Sequence, residues 1–182
     1  MEIADPGATG GDNVRVATYD VGQIEATFDR WHELSRADRR RVLRSDAIDP
    51  IAEQTTHNDT TPFLWRQLAA LMNPRNDPAE AFDPPDKIAF SSESGPFDYG
   101  TQELPNIVGR VPLDDPTNFD NEFRTSELVG ALELEGANLR SVAIETEGGK
   151  HWNLTPLPAQ YEPKTSAIAL VIEMVIPVEG VQ

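Results

Sequence analysis

The segment SAIALVIEMVIP, residues 166–177, alternates without leaving a polar side. Ile168, Leu170, Ile172, Met174 and Ile176 share one face of an extended chain, and Ala167, Ala169, Val171 and Val175 share the other. Successive strand residues point to opposite faces, so such a strand needs cover on both sides and predicts a central place in a sheet. One cover is expected to be a second sheet. The other is expected to be a helix or a neighbouring copy of the chain.

The stretch TTPFLWRQLAALMNP, residues 60–74, supplies a candidate helix. Thr60 or Thr61 suits the N-cap and Pro62 the first turn, while Asn73-Pro74 suits the stop. Leu64, Leu68, Leu71 and Met72 form its apolar face, beside Phe63 and Trp65. Beyond the proline- and carboxylate-rich segment 73–87, the pattern predicts strands at 87–90, 107–113, 127–135, 139–146, 151–154 and 166–178. Gly148-Gly149 reads as a hairpin turn and 136–138 as another turn.

Before that helix the periodicity is mixed. Val14 and Val16, then Ile24, Ala26 and Phe28, alternate around a turn signal at 20–22, which predicts a β-hairpin. Ser35 followed by Asp38 resembles a shortened capping box and predicts a mostly solvated helix over 36–44. The fold class expected is α+β, mainly β: a C-terminal antiparallel β-sandwich with a covering helix, preceded by an N-terminal hairpin and short helix. The boundaries expected are an attachment arm over 1–57, a helix and proline-rich link over 58–86, and the sandwich over 87–182.

Composition narrows the chemistry. The 182 residues include no cysteine, which excludes disulfides and thiolate metal sites. No apolar run reaches the ~20 residues of a membrane span. The start MEIADPGATGGDN has no basic or apolar stretch of a secretory signal, so assembly in the cytoplasm is expected. Net charge is −16, with 31 acidic residues, 15 basic ones and lysine only at 87, 150 and 164. An acidic surface keeps a protein soluble, or marks one that works in concentrated salt, where self-repulsion is screened. Scarce lysine with abundant aspartate favours the second reading. The same charge disfavours a phosphate backbone as partner.

No reactive constellation stands out. His32, His57 and His151 lack metal-ligand spacing, and no GxSxG, Walker or GxGxxG pattern occurs. The expectation is a non-enzyme without cofactors. The loop DDPTNFDNE offers Asp114, Asp115, Asn118, Asp120 and Glu122 as oxygen ligands for a hard cation, but it departs from EF-hand spacing, and a plain acidic loop is the favoured reading. In RADRRRVLR, Arg36, Arg40 and Arg44 stack at i, i+4, i+8. Three readings fit them: ion pairs with the chain's own acid surplus, docking onto an acidic protein, or nucleic-acid contact, the last disfavoured because interleaved aromatics are missing.

The segments FLWRQLAALMNP, DPPDKIAFSSES, ELVGALELEGANLRSVAIETEGG and HWNLTPLPAQYEPKTSAIALVIEMVIPV, together about residues 58–178, resemble a family of small structural proteins of tailed viruses, especially those infecting haloarchaea. The chain departs from the family pattern where AFSSES has no glycine after Phe90 and where LELEGANLRSVAI replaces a glycine-rich loop. The resemblance implies a virion protein assembled in the host cytoplasm: a tail-tip, baseplate or fibre-base component, or alternatively a capsid turret or decoration. Its partners would be copies of itself and other virion proteins, with no nucleic acid and no membrane insertion. In that reading Arg36, Arg40 and Arg44 dock the arm, and Ala169, Val171 and Val175 lie in the self-association surface. A receptor- or glycan-binding module is the rival, using Phe97, Tyr99 and Trp152.

Overall fold

The computed structural model describes residues 14–45, 47–57, 59–72, 82–97, 101, 103–114, 116–119, 122–157 and 161–177. In chain order the elements are β1 (Val14–Asp20), α1 (Val21–Thr27), a 3-10 turn (Trp31–Glu33), α2 (Arg36–Leu43), β2 (Ala52–Thr56), β3 (Asp59–Thr60) and α3 (Pro62–Met72). There follow β4 (Pro85–Ser91), β5 (Ile107–Pro112), β6 (Thr117–Phe119), β7 (Glu122–Val129), β8 (Ser141–Thr146), β9 (Asn153–Pro156) and β10 (Ile168–Pro177). The strands form two five-stranded antiparallel sheets, β2-β1-β10-β7-β6 (sheet I) and β3-β9-β8-β4-β5 (sheet II). The fold is α+β and mainly β.

The sheets pack face to face. Val14 and Val16 of β1, Phe123 and Val129 of β7, and Leu170, Ile172, Met174 and Ile176 of β10 meet Ile88 and Phe90 of β4, Val111 of β5, and Val142 and Ile144 of β8. β10 is central, hydrogen-bonded to β1 on one side and β7 on the other. Its even-numbered residues fill the core between the sheets, as the alternation predicts.

Helix α3 closes that core at the β9 margin. The Thr61 hydroxyl accepts from Leu64 N at 3.3 Å and donates to His151 O at 2.6 Å, so one side chain caps the helix and ties it to sheet II. Phe63, Leu64 and Leu68 then reach the inter-sheet core. The hairpin turn at Gly148-Gly149 is present, with Gly149 at φ 79° and its N–H donating to Thr146 O at 3.0 Å.

The N-terminal half differs from expectation. Residues 21–27 are helical, not the second strand of a hairpin. Asp20 accepts from Gln23 N at 2.7 Å and starts the helix. Val21 and Ile24 then bury at i, i+3, while Ala26, which the strand reading turned inward with Ile24, is exposed. Residues 14–56 are not a separate arm either. They supply two of the five strands of sheet I, so the sandwich is not confined to 87–182. The outer face of sheet I carries a second core of Ala17, Tyr19, Leu128, Ala169 and Val171, packed under Ile24, Trp31, Leu43 and Ile48. The second cover of β10 is thus this chain's own α1, 3-10 turn and α2, and neither α3 nor another copy is needed there.

Candidate functional site

Helix α2 and its C-cap bring three arginines, Arg36, Arg40 and Arg44, to sheet I. Ser35 caps it, its hydroxyl accepting from Asp38 N at 3.1 Å and donating to the Asp38 carboxylate at 2.7 Å. With the start fixed, Arg36 and Arg40 face β7. Arg36 Nε lies 2.7 Å from Asp114 Oδ2, and its other nitrogens donate to Glu133 and to Leu128 O. Arg40 Nη1 lies 3.2 Å from Glu127 Oε2. Arg44 Nε lies 2.8 Å from Glu173 Oε1, whose other oxygen takes Arg15 Nη1 at 2.7 Å. These three arginines were candidates for docking another protein. They instead clamp α2 to the chain's own carboxylates, the outcome that a large acid surplus favours.

The other candidates also move. Ala169 and Val171 are buried under α1 and α2, so they are not a free self-association surface; Val175 is half-buried. Asp114 is committed to Arg36, and Glu122 to Arg124 at 2.5 Å. Asp115 and Asp120 lie outside the described residues, as does the side chain of Asn118. Among the described residues no group of three or more His, Asp or Glu is placed to hold a metal ion. Trp152 is a core residue, edge-on to Phe123 at 5.2 Å between ring centres, and not a loop-tip platform. Phe97 is half-buried against Ala89, Leu104, Ala143 and Leu154, and Tyr99 lies outside the described residues.

Two buried basic groups were not singled out by the sequence. His151 Nδ1 accepts from Leu104 N at 3.2 Å, and Nε2 faces Glu145 Oε2 at 3.4 Å. Glu145 is held by Arg110 Nε at 2.8 and 2.9 Å. Burial lowers the His151 pKa below its ordinary 6.5, against the pull of the Glu145 carboxylate. Lys164 is fully buried, and Nζ donates to Ala131 O at 2.8 Å. Burial lowers its pKa too, partly offset by Glu133 and Glu135. Both groups act as structural supports, although His151 Nε2 faces Glu145 without completing a hydrogen bond: one pins the approach to β5, the other the turn after β7.

Among the described residues a cleft of about 240 Å³ opens where the 3-10 turn approaches residues 130–133. Leu128 and Ala169 of sheet I line it, with Val21 and Trp31 from one side and Ala131 and Leu132 from the other. Leu132 is 79% exposed, more than any other large apolar side chain described. Arg39 stands over the Trp31 ring, 5.7 Å from its centre, and donates to Trp31 O at 3.1 Å and His32 O at 2.7 Å. Among the described residues no carboxylate pairs with it, whereas Arg15, Arg30, Arg36, Arg40, Arg41, Arg44, Arg110, Arg124 and Arg140 each meet one. Arg39 lies in the basic patch RADRRRVLR of the sequence, but nothing local shows that residues 130–133 come to meet it and Trp31.

The arrangement offers a mainly apolar slot with Arg39 at its lip and with His32 and the Arg36–Glu133 ion pair also in its lining. It suits binding of an apolar group that carries a negative charge, and it assembles no nucleophile with a base. Among the described residues no helix is long and apolar enough to cross a membrane. Compared with protein-family models, curated proteins and solved structures, the chain matches none.

Proposed function

We propose that this chain is a structural building block of a virion, from a tailed virus whose host lives in concentrated salt, placed at the tail tip, baseplate or fibre base. The observation that carries the reading is Leu132, held out at the rim of an apolar cleft on an otherwise strongly acidic protein. An exposed apolar side chain beside an apolar recess is how contact surfaces are built. The sandwich behind it is well anchored, because ion pairs from Arg36, Arg40 and Arg44 fix the covering helix to the sheet. The acid surplus suits a medium in which charges are screened within a few ångströms. The family resemblance of residues 58–178 supplies the virion context.

The test has two arms. Mass spectrometry of purified virus particles should find the chain in stoichiometric amount with the tail proteins. Light scattering of the pure chain in molar salt should find a multimer. A chain absent from particles would overturn the virion reading, and a chain that stays monomeric at every concentration would overturn self-assembly.

A further inference from the structure

We propose that His151 is a proton-operated latch: when neutral it holds Leu104 against the outer face of sheet II, and when protonated it lets Leu104 go. The latched segment, residues 103–106, leads into β5. Leu104 is 4% exposed and clusters with Ala89 of β4, Ala143 of β8 and Leu154 of β9. Ala89 and Ala143 alternate with Ile88, Phe90, Val142 and Ile144, which fill the core between the sheets, so Leu104 covers the opposite face.

The two ends of the segment are held differently. On the β5 side, Pro105 O accepts from the Ser91 hydroxyl and Asn106 O from Ser92 N at 3.2 Å, and neither bond titrates. On the other side, the Leu104 N–H donates to His151 Nδ1 at 3.2 Å. Beside it runs the Glu103–Lys150 ion pair, which is solvated and therefore weak. Residues 105 and 106 thus form a fixed hinge, and the imidazole is the catch.

The catch itself does not move. The His151 carbonyl accepts from the Thr61 hydroxyl at 2.6 Å, its backbone bridges Glu145, and the residue is 1% exposed. Accepting at Nδ1 places the ring proton on Nε2, which faces Glu145 Oε2 at 3.4 Å without completing a hydrogen bond. A second proton goes to Nδ1, the atom that holds Leu104. Both ring nitrogens then donate, so the Leu104 N–H faces another N–H and loses its acceptor. An N–H buried without an acceptor is costly, and the cost is relieved when Leu104 swings into water.

The charged groups around the ring are Glu145 on β8, Arg110 on β5, which holds Glu145 at 2.8 and 2.9 Å, Glu103 on the latched segment, and Lys150 paired with it. Burial most strongly keeps the imidazole neutral and Arg110 reinforces it, while Glu145 and Glu103 favour the imidazolium. Glu103 is solvated, so its pull is screened. The buried Glu145 is the partner that receives the protonated ring. Release is local: the β8–β9 pairs Ser141–Pro156 and Val142–Thr155 involve no titrating group, so acid bares Ala89, Ala143 and Leu154 on a chain that is otherwise folded.

Amide hydrogen exchange of the full chain, followed by NMR from about pH 7 to about pH 5 at constant salt and corrected for intrinsic rates, tests the latch. The Leu104 amide is expected to lose about tenfold or more in protection across that range. In acid it should also be about tenfold or more less protected than Ile172 in the middle of β10. In the parent protein the His151 ring and the Leu104 amide resonance should titrate together. His151→Gln, which takes up no proton, should remove the pH dependence at Leu104. Unchanged protection of Leu104 overturns the latch, as does a ring that titrates while the Leu104 resonance stays put. Equal protection of Leu104 and Ile172 in acid also overturns it, because the segment would then open only with the whole fold. A His151→Gln chain that keeps the same loss at Leu104 does so as well.

Discussion

Glu127 stands opposite Ile172 in the register of sheet I, on the face that otherwise fills the core, yet its carboxylate meets Arg40 of α2 at 3.2 Å. The contact exists because β6 pairs only with residues 122–124, so the later part of β7 has no strand beside it there. The freed edge lets Glu127 meet Arg40 of the covering helix. Thr125 Oγ1 and Asp114 N donate to its other oxygen at 2.7 and 2.9 Å. Both partners of the pair are buried. Removing one takes a buried opposite charge away from the other, so Arg40→Met is expected to cost about 3–5 kcal/mol. The double replacement Arg40→Met/Glu127→Leu is expected to recover much of that loss. Urea unfolding of the three proteins measures the coupling; a single variant within about 1 kcal/mol of the parent would show that the pair behaves as a surface contact.

Residues 14–56 belong to the fold. Deleting 1–57 removes β1 and β2 and uncovers Ala169 and Val171. The product is expected to be insoluble or molten, with lost near-ultraviolet circular dichroism, whereas deleting 1–13 leaves the described sheets intact. A gentler probe is Leu43→Ala, at a residue 1% exposed under Tyr19, whose hydroxyl donates to Leu43 O at 2.7 Å. A buried leucine truncation costs about 2–5 kcal/mol. A well-folded 58–182 fragment would contradict this account of sheet I.

His151 predicts an acid-sensitive component of stability. Its folded pKa lies below 6.5, chiefly through burial, with Glu145 and Glu103 opposing and Arg110 reinforcing the shift. Lys150 also stands nearby, paired with Glu103. The unfolded chain therefore takes up a proton on this imidazole at a higher pH than the folded one. Stability from this group is complete above pH 6.5, falls as pH drops below it, and is gone below the folded pKa. His151→Gln should flatten the difference in melting temperature between pH 7 and pH 5 relative to the parent, each read at constant salt. An identical pH dependence in the two proteins would remove His151 from the account.

Salt should stabilise the protein. The net charge of −16 repels itself in dilute buffer, and screening shortens that repulsion to about 3 Å at 1 M salt. Exposed pairs such as Arg41–Asp38 weaken under the same screening, but they contribute little individually. The melting temperature is expected to rise steadily from ~0.1 M to molar sodium chloride. A fall over that range would argue that the ion pairs, not the repulsion, dominate.

The features legible in the sequence were those fixed by short-range rules. The two apolar faces of β10, the capping of α2 by Ser35, the proline start of α3 and the Gly148-Gly149 turn all follow from nearest neighbours. Where two periods fitted, the sequence did not decide. Ile24 and Phe28 satisfy both alternation and an i, i+4 helix, and the tie was broken by Asp20 and Val21. The strand AEQTT of β2 carries no apolar alternation, since it is an edge strand with its side chains at best half-buried. The arginine patch was visible, but its carboxylates lie about ninety residues on, at Asp114, Glu127 and Glu133. The cleft depends on the same kind of distant approach, between residues 31 and 132.

Lys164 gives the rim of that cleft its character. Its ammonium group reaches Ala131 O, its backbone N–H donates to Ala137 O at 2.9 Å, and its carbonyl accepts from Gly136 N at 2.8 Å. One residue therefore staples both ends of the excursion that bears Leu132. Leu132 is thus displayed on a braced knuckle, so a partner meets a ready-made grip and has little ordering entropy to overcome there.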